Sequence, residues 1–452
     1  MPQPDPANGV AGERPGAAAP ARTERPLGGA YSVAENGRLL RRYAEVEFQL
    51  MRLFGAWMPH IAAVDVKLKL PWHTNEDAEH AGWLRERLAE LRGGRLHAAP
   101  DAPLRAALQA ALHAPGPYAF LVGAYFGLKR ELLAAYKLHL AGTDPLLDAP
   151  TVRVLRRIIP EEEAQLAWAE HGCDALCTSD AERAAALRWR DTVVAGLLDA
   201  GGVQGMAMDE REEPLPGEAI AAEAGSALAA SGAAAAVEPT PFVHSPGGVR
   251  PEGAPRCWIR PAPGADDGER ARTIWEFRWR RDELQATEIF MQCLYDFDDM
   301  PWDFYKDCAR HAWDEARHTE LGIRRLRELG VDPDELPMMV ANSITQVGHM
   351  SGLERYTLTT LGHETAGMAG KTEHYRRHLE LGDMVSAACV DYDWSDEINH
   401  VRYGKRWVSW FAESYGEGRS VTEILRAAQR RHRELIERLG SEFEANETRG
   451  ST

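Results

Sequence analysis

Two stretches of this sequence read almost as copies of one another: WDEARHTELGIRRLREL at residues 313–329 and DAEHAGWLRERLAEL at residues 77–91. Each sets an acid three residues before a histidine and continues with leucines and arginines at helical spacing, which is the pattern of an amphipathic helix. The shift that lays His318 on His80 also lays Glu315 on Asp77, Ala316 on Ala78, Arg325 on Arg87, Leu326 on Leu88, Glu328 on Glu90 and Leu329 on Leu91. Other helical segments recur at nearly the same distance. Glu47 in EVEFQLMRLF pairs in this way with Glu288 in ATEIFMQCLY, Glu131 with Glu364, and Glu162 with Glu397. Four helices sharing one offset to within a few positions imply two copies of a four-helix unit.

The rest of the chain fits that division. Strand-type alternation is hard to find, so the expected class is all-α. Ser32 with Glu35, and Ser179 with Glu182, have the spacing of capping boxes that open helices. Residues 1–30 are rich in Pro, Ala, Gly and charge and read as disordered; 31–203 form the first bundle and 204–272 a flexible linker. Residues 273–440 form the second bundle, and 441–452 a disordered tail. With 69 acidic against 52 basic residues the formal charge is −17, which repels polyanions and disfavours nucleic acid as a partner. No apolar run is long enough to span a bilayer and the first residues lack a signal-peptide core, so a soluble cytoplasmic protein without membrane attachment is expected. Six cysteines without a C-x-x-C pair read as reduced structural thiols.

The second copy carries the chemistry. Glu315 and His318, and again Glu397 and His400, stand three apart, so on a helix both members of each pair point the same way. Two such helices, with one glutamate from each of two others, make the carboxylate cage that holds two irons or manganeses in a bundle core. Glu288 and Glu364 are the candidates for the single glutamates; Glu373 and neighbouring histidines are the alternatives to Glu364. Asp314 and Asp396 precede the paired glutamates, giving DEARH and DEINH, and can accept the N–H of a metal-bound imidazole.

Residues 283–407 resemble the ferritin-like di-iron carboxylate superfamily. The stretch GDMVSAACVDYDWSDEINHVRYGKRW is similar to the last bundle helix of a group of bacterial ferritin-like proteins without settled function. That resemblance implies two tandem ferritin-like bundles, with Glu288, Glu315, His318, Glu364, Glu397 and His400 as ligands to two iron ions, or to manganese. It also implies an oxidoreductase that activates dioxygen, drawing on an electron donor, to hydroxylate, desaturate or N-oxygenate a small organic substrate.

The first copy departs from the pattern. Its set is Glu47, Asp77, His80, Glu131, Glu162 and Gln165, in which an amide replaces the second histidine and an aspartate replaces a glutamate. A degenerate, structural site is expected, with Lys67 supplying positive charge. Tyr295, Trp302, Phe304, Tyr305 and Trp313 can line a substrate pocket or an electron path, and Cys389 can border the pocket, although core packing is the plainer reading of each. Other uses of the same ligands are ferroxidase or iron handling, peroxide decomposition with manganese, and hydroxylation of a transfer RNA base; a non-catalytic scaffold is a further reading. A fused double bundle is a poor building block for a storage shell, and the acidic charge disfavours the RNA.

Overall fold

The computed structural model describes residues 27–92, 101–205, 239–264, 268–415 and 418–450. It is an all-α protein, in which the strand pairing among the described residues is limited to Arg256–Cys257 beside Met338–Met339. The first half contributes α1 (Val33–Trp57), α2 (Val64–Glu90), α3 (Ala102–Ala110), α4 (Pro117–Gly123), α5 (Arg130–Gly142), α6 (Ala149–Gly172) and α7 (Asp180–Asp199). The second contributes α8 (Glu269–Asp282), α9 (Leu284–Asp296), α10 (Trp302–Glu328), α11 (Gly352–Thr357), α12 (Thr365–Glu380), α13 (Met384–Ser414) and α14 (Val421–Gly450). Between α4 and α5, and between α11 and α12, the helix continues through a π-helical turn, Ala124–Lys129 and Leu358–Glu364 respectively.

Local chemistry accounts for the helix starts. Ser32 and Glu35 form the full reciprocal box at α1, each side chain bonding the other's backbone N–H. At α7 the box is only half made: Ser179 accepts from the Glu182 amide, while the Glu182 carboxylate turns to the amide and hydroxyl of Thr178. Helix starts also repeat along the chain. The shift that carries Pro117 onto Gly352 carries Ala149 onto Met384, and it brings Val64 close to Trp302.

The halves meet where α1 lies on α9 and α2 lies on α10. Gly55 makes the first contact possible, since a Cβ there would sit 2.4 Å from the Met291 carbonyl oxygen. Gly322 does the same for α10 against α8, where a Cβ would be 2.3 Å from the Arg281 nitrogen. One apolar core runs through both halves, from Leu40, Phe54 and Tyr125 to Phe290, Phe304 and Trp407. Each such fully buried side chain contributes about 1.5–3 kcal/mol by leaving water.

Two expected boundaries move, and part of the expected linker is ordered. Helix α8 begins at Glu269, inside the stretch read as a linker, and α14 runs to Gly450, through the stretch read as a disordered tail. Phe443 gives that tail something to hold, packing on Trp258. Residues 239–264 of the expected linker lie along the protein as a non-helical strap. Its Ser245 hydroxyl donates to the Pro59 carbonyl, and Trp258 Nε1 donates to the Ile436 carbonyl at 3.2 Å. Residues 206–238 of that expected linker, and 1–26 of the expected N-terminal segment, lie outside the described residues. Among the described residues no helix is long and apolar enough to cross a membrane.

Candidate metal centre

The period of α10 turns Glu315 and His318 to one face, and that of α13 does the same for Glu397 and His400. The two faces oppose each other. His400 Nδ1 lies 3.4 Å from Glu315 Oε1 and 3.9 Å from Glu397 Oε2, while His318 Nδ1 lies 3.9 Å from Glu315 Oε2. Glu364 enters from the end of the π turn, with its Oε1 2.7 Å from His311 Nε2. All of these side chains are buried. His318 Nδ1, His400 Nδ1, Glu364 Oε2 and Glu397 Oε2 have no hydrogen-bond partner. Buried polar atoms left in that condition are costly, and clusters of them are what bound cations would satisfy.

Each imidazole is braced from the opposite helix. Asp314, beside Glu315, sets its Oδ2 3.4 Å from His400 Nε2; Asp396, beside Glu397, sets its Oδ2 3.2 Å from His318 Nε2. The aspartates thus face the far nitrogens, as expected of groups that fix a ligand's tautomer, and they do so crosswise. Burial pushes the His318 imidazolium down, but Asp393, the Asp396 hydrogen bond and the Glu283 and Glu315 charges outweigh it and hold the pKa at about 9. Burial, reinforced by Asp393, raises the Glu283 carboxyl to about 8. Glu315 goes the other way: burial opposes its ionisation, yet His311, His400 and His318 hold it well below the usual carboxylate range.

Glu288 is not part of this cage. It is fully buried, but its carboxylate accepts from Lys67, Arg250 and Ser343, joining α2, the strap and the segment before α11. The acid that does reach the cage from this part of the chain is Glu283, at the junction of α8 and α9, with Oε2 3.5 Å from His318 Nδ1 and no hydrogen-bond partner. A signal for it was present: the shift that carries Glu162 onto Glu397 brings Glu47 almost onto Glu283 and leaves it well short of Glu288. His311, Asp393 and Lys371 were also missed. His311 lies one turn before Glu315 and stacks on His400 with ring centroids 3.6 Å apart. Asp393 Oδ1 is 3.4 Å from His318 Nδ1, while Arg280 and Lys371 hold Asp393 at 2.8 and 2.7 Å. Lys371 also reaches Glu397, at 3.1 Å. The donors fall into groups whose ligand atoms lie within 4.8 Å of one another: His311, Glu315, Glu364 and His400; Glu283, Glu315 and His318; His318, Asp393 and Glu397.

The first half builds a matching cage from Glu47, Asp77, His80 and Glu162, all fully buried. The crosswise bracing recurs, with Glu161 2.8 Å from His80 Nε2 and Glu76 accepting from Gln165 Nε2 at 2.9 Å. Glu131 lies outside this set. The position matching Glu364, under the shift that pairs Glu162 with Glu397, is Lys129 at the end of the other π turn. Its ammonium donates to Asp77 at 2.7 Å and Glu162 at 2.8 Å, while Tyr136 donates to Glu47 at 2.6 Å. Lys67 is committed to Glu288, so Lys129 supplies the charge that was expected from Lys67. Burial opposes the Lys129 charge, but Asp77 and Glu162 raise its pKa well above the ordinary lysine value.

A cavity of about 620 Å³ opens onto the second cage. Its lining includes Glu283, Glu315, Glu364, Glu397 and Lys371 of the cage together with Trp275, Trp279, Ile289, Met339 and Ala366, and the charged Arg260, Glu276 and Arg280. The aromatics expected there are elsewhere. Trp302 and Tyr305 pack on Phe48 and Trp313 stacks near Trp72, at the contact between halves, while Phe304 and Tyr295 pack among other rings. Cys389 borders a separate surface pocket with Met384 and Tyr392. Family DUF455, described as a protein of unknown function, matches residues 263–447, which include every side chain of the second cage. No curated protein and no solved structure matches the chain.

Proposed function

We propose that the second cage holds two metal ions, iron or manganese, and that the protein is a ferritin-like, dioxygen-activating oxidoreductase acting on an organic molecule bound in the adjoining cavity. The observation that carries this is the convergence of donor atoms without hydrogen-bond partners, on His318, His400, Glu283, Glu364 and Glu397, beside an apolar-walled space of about 620 Å³. Imidazole with several carboxylates is a donor set suited to iron and manganese. A reduced pair of irons supplies dioxygen chemistry when bound. The chain's own part is to aim His318 and His400 through Asp396 and Asp314, and to balance Asp393 and Glu397 with Lys371. Trp275, Trp279 and Ile289 give the substrate side apolar lining.

The first half, on this reading, is a second copy of the same four-helix unit that has given up metal. The matching helix starts, the paired π turns and the repeated crosswise bracing support a duplication. Its Lys129 ammonium stands among the carboxylates in place of an ion from solution.

The test is anaerobic reconstitution with ferrous iron followed by exposure to oxygen. Two irons per chain should bind, and oxygen should be consumed without growth of a mineral core. Accumulation of tens of ferric ions per chain would support iron storage instead, and rapid oxygen evolution from peroxide with manganese bound would support peroxide breakdown. His318→Ala or His400→Ala should lower the metal content; unchanged content in both refutes the metal centre.

A further inference from the structure

We infer that the two metal positions of the second cage are chemically unequal, one nitrogen-rich and filled first, the other oxygen-rich, and that His311, outside the E-x-x-H pairs, is the ligand that makes them so. The inference rests on the metal-centre reading above. Glu315 divides its two oxygens between the positions. Its Oε1 faces His311 Nε2 and His400 Nδ1, each at 3.4 Å, whereas its Oε2 faces His318 Nδ1 at 3.9 Å. On the Oε1 side Glu364 completes a set of two imidazoles and two carboxylates, with Glu364 Oε1 2.7 Å from His311 Nε2. The two 3.4 Å separations match neighbouring donors around a common ion, since ligand bonds of about 2.0–2.2 Å at tetrahedral or octahedral angles put adjacent donors roughly 3–3.5 Å apart, whereas the shorter His311–Glu364 contact is a hydrogen bond that a bound ion would replace.

On the Oε2 side a single buried nitrogen, His318 Nδ1, faces oxygens alone: Glu283 Oε2 at 3.5 Å, grouped with Glu315, and Asp393 Oδ1 at 3.4 Å, grouped with Glu397. This side is also the one contested by fixed cations. Arg280 and Lys371 both hold Asp393, and Lys371 holds Glu397, so part of the negative charge is already balanced before an ion arrives. Imidazole strengthens binding along the series from manganese to iron, while carboxylate-rich positions suit manganese. The nitrogen-rich position therefore takes ferrous iron in preference, and the oxygen-rich position accepts manganese.

His311 is held for this role. Its ring lies between Phe290, at 3.5 Å, and His400, at 3.6 Å, and it is fully buried, so it cannot turn its Nε2 away without unstacking. The experiment is anaerobic titration of the metal-free protein, first with ferrous iron alone and then with an equimolar mixture of ferrous iron and Mn²⁺, read by bound-metal content after removal of free ions. Wild type should fill in two resolved steps and take one iron and one manganese from the mixture. His311→Ala should weaken the first step by at least the roughly 10–100-fold that loss of a ligand's hydrogen-bond partner costs and abolish the preference for iron. Glu283→Gln should weaken only the second step. His311→Gln keeps a polar side chain facing Glu364 but offers no imidazole nitrogen, and it should behave as His311→Ala does; restored binding there would assign His311 to hydrogen bonding only and overturn the inference. Two ions entering in one step, unaffected by His311→Ala, would overturn it as well while leaving the metal centre standing. Wild-type protein that binds no metal would instead refute the metal centre itself.

Discussion

Replacing Lys129 by methionine keeps the length of the side chain and removes its charge. The ammonium lies 2.7 Å from Asp77 and 2.8 Å from Glu162, and all three side chains are fully buried. Without it, three buried carboxylates, Glu47, Asp77 and Glu162, face only His80 as a cation. Removing one partner of a buried ion pair costs about 3–5 kcal/mol, because the charge left behind is neither solvated nor paired. The sign of the pH dependence follows from Asp77. Burial, with the Glu47 and Glu162 charges and against the pull of Lys129, raises its pKa to about 8, whereas in the unfolded chain it is roughly 3.9. The folded state thus binds that proton more tightly, and the stability it confers is present in acid and lost as pH rises from roughly 3.9 to about 8. With the ammonium gone Asp77 holds its proton still more firmly and Glu162 loses a charge that keeps its pKa low, so the deficit should be greatest above about pH 8 and should shrink in acid. Urea unfolding followed by circular dichroism, with chelator present, at about pH 8.5 and about pH 5.5 measures both. A loss below about 1 kcal/mol at the higher pH, or a larger loss at the lower, would refute the role given to Lys129.

Glu288→Ala should leave the metal content at wild type and lower stability by about 3–5 kcal/mol, since it strands Lys67 and Arg250 in the core; a loss of metal would return Glu288 to the centre. His80→Ala should likewise spare bound metal while destabilising the first half, whereas His318→Ala should lose metal and keep its helicity by circular dichroism. Asp396→Ala should reduce metal affinity by about 10–100-fold through His318, with Asp314→Ala acting comparably through His400, and a titration showing neither change contradicts the crosswise bracing.

The helical class and most of the cage residues were legible because they obey a short rule. Glu315 with His318, and Glu397 with His400, announce themselves by spacing within their helices, whereas Glu364 was reached through a pairing with Glu131 that the structure replaces by Lys129. A lone acid has no partner three residues away to fix its register, which is how Glu288 displaced Glu283 and Glu131 displaced Lys129. Lys129 stands as far before Glu162 as Glu364 stands before Glu397, but a search for acids passes over a lysine. The π turns that end at those two positions give no plain sequence sign, and they alter the face each helix presents. His311 was hidden by lying on the far side of Glu315 from the E-x-x-H pair. The aromatic cluster around Trp302 was read as a pocket wall because apolarity says that a side chain is buried and not against what; its partners, Phe48 and Trp72, come from the other half of the chain.

The exchange of lysine for glutamate at the end of a π turn separates the two halves in how they depend on their surroundings. A cation that belongs to the chain arrives with synthesis and cannot be diluted, chelated or oxidised, so α2, α5 and α6 close around Lys129 whatever the supply of metal. On the metal-centre reading proposed above, the donors on α10, on α13 and at the start of α12 are balanced only when ions come from outside. Scarcity of metal should therefore be felt on one side alone, as faster amide exchange in α12 and α13 with chelator and no change in α5 and α6.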